Sequence, residues 1–187
     1  MSENVAASKL ETSRRDWNAA PIPELIDHIV GVHHAYMKRE IPRITGLFDV
    51  VQVKYKKSHG DYIGKLIEQW SIVAQDMKQH TFKEESVLFP MIREMAEQSE
   101  RGEEVVCTSC SGVEAHIQQM ELEHDDVLEV FSKFSDATGA FSASDDVGDD
   151  FAELYSSLKA MSENLVVHIG LENNFLHKRA VKLEEKL

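Results

Sequence analysis

The sequence predicts an all-α fold, an up-down-up-down four-helix bundle, on three observations. Four long stretches repeat apolar residues at alternating steps of three and four, the rhythm of a bundle seam. Short segments rich in Gly, Ser and charged residues separate them. Each stretch also carries one histidine inside its apolar seam, and two of them add a glutamate four residues later.

Composition sets the outer bounds. A chain of 187 residues suits one domain with a full core. With 42% apolar residues and 4 prolines it is globular rather than disordered. A net charge of −13 argues against nucleic acid, whose phosphates need a basic face, and against an acidic membrane surface. The N-terminal stretch has no apolar signal core and no run approaches the ~18 apolar residues of a membrane span, so a cytoplasmic protein is expected. Two cysteines are too few for a disulfide scaffold. Residues 1–20 read as a flexible polar arm and residues 21–187 as the bundle.

The first helix opens at Pro21-Ile22-Pro23-Glu24, where proline is tolerated and glutamate suits the positive helix end. It runs to about Lys57. Its seam is Asp27, Val30, His34, Met37, Ile41, Ile44, Phe48, Val51 and Tyr55, and Pro42 should kink it. Ser58-His59-Gly60-Asp61 is the turn. The second seam is Leu66, Trp70, Val73, Met77, His80, Glu84, Val87 and Met91, with a second kink expected at Pro90. After a connection over residues 98–112, the third seam is Val113, Ile117, Met120, His124, Val127, Phe131 and Phe134. The loop from Thr138 to Gly148 leads into the fourth seam, Leu154, Leu158, Met161, Leu165, His168, Glu172 and Phe175.

The polar seam residues carry the chemistry. Away from the ends they are His34, His80, Glu84, His124, His168 and Glu172. A buried polar group without a partner costs roughly 1–3 kcal/mol, so six of them need one another or a metal. Counted from the bundle ends, the four histidines lie within about 8 Å of one level at ~1.5 Å rise per residue. They can therefore converge. Four imidazoles and two carboxylates exceed the appetite of one zinc ion and suit two iron or manganese ions, with both carboxylates bridging. That arrangement leaves room for a solvent-derived bridge and an open position for O2, NO or peroxide. A metal-free cluster of mutually hydrogen-bonded histidines is the bland alternative. His59 lies about 37 Å along a straight helix from His34 and is left out. His28, His33, His116 and His177 miss the seam, with His33, adjacent to His34, the best supporting neighbour. Met37, Met77, Met120 and Met161 read as core gap fillers rather than a soft-metal stripe.

The segments RRDWNAAPIPELIDHIVGVHHAYMKREIP, HTFKEESVLFPMI, ELEHDDV and VHIGLENNFL resemble, in order, the hemerythrin-like (HHE cation-binding) domain of the di-iron repair-of-iron-centres family. The resemblance covers the chain from about Asp16 onward. It implies a cofactor of two non-haem iron ions with an oxo or hydroxo bridge, held at His34, His80, Glu84, His124, His168 and Glu172. It further implies a role in nitrosative or oxidative stress, supporting repair of damaged iron–sulfur proteins by iron donation. A hemerythrin-like O2 or NO binding protein and a di-iron NO or peroxide reductase are the competing expectations. Typical members of that family carry an N-terminal domain with paired cysteines, whereas only about 16 residues precede the match here. Cys107-Thr108-Ser109-Cys110 is foreign to the pattern. Just ahead of a helix N-terminus, such thiols would have lowered pKa values and could form a redox or iron-handling pair, or they are two incidental loop cysteines.

Overall fold

In the computed structural model, residues 15–106, 112–142 and 148–185 are described. They form six α-helices: α1 (Ile22–His28), α2 (Ala35–Lys83), α3 (Phe89–Glu100), α4 (Gly112–Ala137), α5 (Asp149–Leu171) and α6 (His177–Glu184). Three π-helical turns, Ile29–His34, Glu84–Leu88 and Glu172–Leu176, splice α1 to α2, α2 to α3 and α5 to α6 without a loop. The α2 element itself contains two limbs, because His59 leaves helical dihedrals (φ −135°, ψ 18°) and turns the chain back. The result is four antiparallel limbs, as the seam pattern predicts. No strand occurs among the described residues.

Contacts at each end show the alternation. Across the His59 hairpin, Trp70 Nε1 donates to Thr45 Oγ1 at 3.0 Å. The start of the second limb meets the end of the third where Tyr62 Oη donates to the Ala137 carbonyl. The end of the first limb meets the start of the fourth through Lys54 and Asp150. The start of the third meets the end of the fourth where Glu184 accepts from the Val113 and Glu114 backbone N–H groups at 2.7 and 3.1 Å. That carboxylate caps the positive end of α4 from the other end of the chain.

The core divides into two apolar regions with the polar seam residues between them. Met37, Met77, Met120 and Met161 are all buried within it, as gap fillers should be. Pro42 lies inside α2 and the helix continues through it, with only His59 leaving helical dihedrals. Pro90 follows the second π turn and sits in the first turn of α3, where its missing N–H is tolerated.

Three corrections concern the seam, and all lie within or just before π turns. Asp27 is exposed while Leu25, Ile26 and Ile29 are buried; Val87 is 48% exposed while Leu88 and Phe89 are buried; Phe175 is only half-buried while Leu176 and His177 are buried. A π turn holds one residue more than an α turn, so the buried face moves one position along the sequence there. A fourth correction concerns the N-terminal arm. Trp17 is 3% exposed and Ala20 is buried, and Arg179 donates to the carbonyls of both, so residues 16–20 belong to the packed bundle. Residues 1–14 of that arm and the pair Cys107 and Cys110 lie outside the described residues. Among the described residues no helix is long and apolar enough to cross a membrane.

Candidate metal centre

Each of the six seam residues is buried, and the two carboxylates are fully so. His34 comes from the end of the first π turn, His80 and Glu84 from the second limb, His124 from α4, and His168 and Glu172 from the fourth limb. Glu84 and Glu172 each open a π turn, and π turns often mark functional sites because they re-aim a side chain without ending the helix.

All four imidazoles turn Nε2 inward. His34 Nε2 is 3.1 Å from His168 Nε2, 3.3 Å from Glu84 Oε2 and 3.8 Å from Glu172 Oε1. His80 Nε2 is 3.0 Å from His124 Nε2 and 3.1 Å from Glu84 Oε1. His124 Nε2 is 3.1 Å from Glu172 Oε2, and His168 Nε2 is 2.8 Å from Glu172 Oε1. Two groups of four donors result, His34-Glu84-His168-Glu172 and His80-Glu84-His124-Glu172, each with its donor atoms within 4.8 Å of one another. Both groups share both carboxylates.

Behind the site, the outward Nδ1 atoms are mostly held. Glu85 accepts from His34 Nδ1 at 2.7 Å and is itself bound by Lys38. Glu123 accepts from His80 Nδ1 at 2.9 Å and is bound by Lys83 and Gln119. Asn173 Oδ1 accepts from His124 Nδ1 at 2.9 Å. Such partners fix the tautomer and aim of a ligating imidazole.

Electrostatics agree with a site built for cations. Burial raises the Glu84 carboxyl and Glu172 adds repulsion, yet His34 and His80 bring its pKa below the ordinary value. Burial likewise raises Glu172, but His168, His124 and His34 hold it well below that value. Burial pulls His34 down, and the Glu172 and Glu84 carboxylates outweigh it, lifting the imidazole to about 10. His80 behaves alike: burial lowers it, and Glu84, Glu172 and Glu123 raise it to about 9. Without metal, protons on these imidazoles compensate the two buried carboxylates. Even so, both oxygens of Glu84 and Oε2 of Glu172 have no hydrogen bond of normal geometry. Two buried carboxylates with three unbonded oxygens, ringed by inward imidazole nitrogens, fit divalent cations of the iron or manganese kind.

The remaining histidines divide. His59 lies at the far end of the bundle, 5.9 Å from the Phe151 ring and 6.3 Å from Tyr55, away from the site. His116 is half-buried on α4 and is not in either group of donors. His33 and His177, read from the sequence as off the seam, are both buried, each with its ring parallel to a site imidazole: His33 to His168 at 5.7 Å and His177 to His124 at 6.0 Å. Burial, with the neighbouring His168 and His28, drops His33 to about 3, so it stands there as a neutral ring. What turns this pair inward is the π turn at each place, which brings residues adjacent to and five beyond a seam position toward the core and which no pattern in the sequence marks.

The hemerythrin HHE cation-binding domain matches residues 25–180, most of the chain. This protein belongs to the hemerythrin HHE family. The family match makes it a metal-binding domain, with the inward His and Glu groups as its candidate donors. Among HHE relatives, the iron-sulfur cluster repair protein YtfE of Dickeya chrysanthemi is 31% identical over 173 residues, covering 92% of this chain and 72% of the relative. YtfE of Cronobacter sakazakii is 28% identical across 98% of this chain and 77% of its own length. A probable iron-sulfur cluster repair protein of Haemophilus influenzae is 29% identical across 93% and 72%.

Proposed function

We propose that His34, Glu84, His168 and Glu172 hold one iron ion and His80, Glu84, His124 and Glu172 a second, with both glutamates bridging, and that the protein supports repair of damaged iron–sulfur clusters by releasing iron. The observation that carries this reading is the sharing of both carboxylates by two tetrads of donors. The names of the relatives supply the repair role. We place the protein in the cytoplasm on the strength of that role.

The residues have separable duties in this reading. Glu85, Glu123 and Asn173 orient three of the four imidazoles. His34 and His80 accept protons when metal leaves and give them up when it enters, so the carboxylates are never left uncompensated. An iron pair, an oxo or hydroxo bridge between its members included, supplies releasable iron and one-electron redox steps. The test is incubation of the iron-loaded protein with a cluster enzyme damaged by NO. Recovery greater than that given by an equal amount of free iron is expected; recovery no greater overturns the repair role.

A second reading rests on a cavity. A space of about 290 Å³ lies between the limbs, lined by Val73, Met77 and Val130 and reaching His80, His124 and His168. It is large enough to admit O2, NO or peroxide to the site, as a gas-binding protein or a di-iron reductase requires. A stable nitrosyl spectrum or stoichiometric N2O from the reduced protein would favour it over repair.

A further inference from the structure

The two candidate metal positions are not supported alike, and the difference lies in one atom. At the first position, His34 Nδ1 is bound to Glu85 at 2.7 Å, but His168 Nδ1 is buried with no partner. At the second, both imidazoles are held: His80 by Glu123 and His124 by Asn173, each at 2.9 Å. The match between the positions is otherwise close. His34-Glu85-Lys38 and His80-Glu123-Lys83 are the same chain of imidazole, carboxylate and ammonium. The unmatched member is therefore the amide that serves His124 and has no counterpart at His168.

The surroundings of His168 do not make up the loss. Asn164 stands one turn before it and is buried, but its side chain serves the His33 imidazole and its Oδ1 makes no hydrogen bond of normal geometry. His33 lies parallel to the His168 ring, and neither of its nitrogens has a hydrogen bond of normal geometry. The ring is thus packed but its nitrogen is not aimed. A hydrogen bond to the distal nitrogen raises the basicity of a ligating imidazole and fixes its direction, and losing one typically costs about 10–100-fold in metal affinity.

We infer that the position held by His34 and His168 is the weaker of the two and is the one emptied first, with Asn173 acting as the positioning residue that keeps metal at His80 and His124. The inference rests on the two-metal reading above and sharpens it. It identifies which ion a releasing protein gives up and which it retains.

The experiment is an equilibrium titration of the metal-free protein with Co(II) against a competing chelator, giving a stoichiometry and two dissociation constants. Adjacent cations repel, so two unequal constants alone do not decide the matter; the variants do. Asn173→Leu weakens the tighter position and should bring the two constants together by about 10–100-fold. Asn173→Asp keeps an acceptor and should restore the wild-type gap. Glu85→Leu weakens the position that is already weak and should widen the gap. A loss spread equally over both constants in Asn173→Leu, or a widened gap there with a narrowed one in Glu85→Leu, overturns the inference. A stoichiometry below two in the wild type instead overturns the two-metal reading itself.

Discussion

Glu84 and Glu172 hold equivalent places in the two halves of the chain. Each stands four residues after an inward histidine and opens a π turn whose carbonyl accepts the N–H five residues on, from Phe89 and His177 respectively. Each belongs to both groups of donors. Neither carboxylate can then be removed at the expense of one metal position alone. Glu84→Gln and Glu172→Gln are each expected to lower bound iron from the proposed two per chain to below one, read by metal analysis of the purified protein. One iron retained at full occupancy in either variant would contradict the shared role.

The pKa values of His34 and His80 make metal binding depend on pH. Both are raised above the free value of about 6.5, to about 10 and about 9. Their protons therefore stabilise the metal-free fold fully below about pH 6.5, and this contribution is lost as pH rises through about 9 and 10. Metal competes with those protons, so its affinity should rise with pH over the same window. Thermal melts of the metal-free protein between pH 6 and pH 10 should fall progressively, while Co(II) affinity climbs. A metal-free melting temperature that rises across this range would sink the account.

Trp70 is buried against Phe48 with ring centroids 5.9 Å apart, and its indole N–H reaches Thr45 across the first hairpin. Trp70→Ala leaves a large cavity and removes the donor to Thr45 Oγ1, at a cost of about 3–5 kcal/mol. Chemical denaturation of the metal-free protein measures it.

Glu184 caps α4 from the far end of the chain. Its replacement by alanine should cost about 1 kcal/mol, because two backbone N–H groups lose a charged acceptor. Co(II) affinity should stay unchanged, since the contact lies outside both groups of donors. A matching fall in affinity would mean that the cap transmits to the site.

The sequence was legible where the helix period is regular. Steps of three and four led from Leu66 to Glu84 and from Leu154 to Glu172, and the histidines at matching depth are brought together in the structure. Legibility failed one residue past each regular run. A π turn is stabilised by tertiary packing and has no composition of its own, so Val87 and Phe175 were assigned to a face that Leu88 and Leu176 occupy. The same slip concealed His177. The His59 reversal was correctly placed but expected as a four-residue turn, whereas the helical pattern continues almost to the corner on both sides. Trp17 was misjudged because its neighbours are polar, whereas its ring packs into the apolar cluster of Ile22, Leu25 and Leu183 and against His28 at 4.5 Å.

The sharp corner at His59 also bears on the order in which this protein assembles. A corner of one residue brings Thr45 and Trp70 together after closing a segment of only 25 residues, whereas His34 and His168 meet across 134. Chain closure over the longer span is entropically costlier and later, so the first two limbs are the natural nucleus and the ring of imidazoles closes last. Pulsed hydrogen exchange should protect amides around residues 45–70 before those near His168, and the reverse order would refute this. Both groups of donors include Glu172, so each is completed only when the fourth limb docks on the first two.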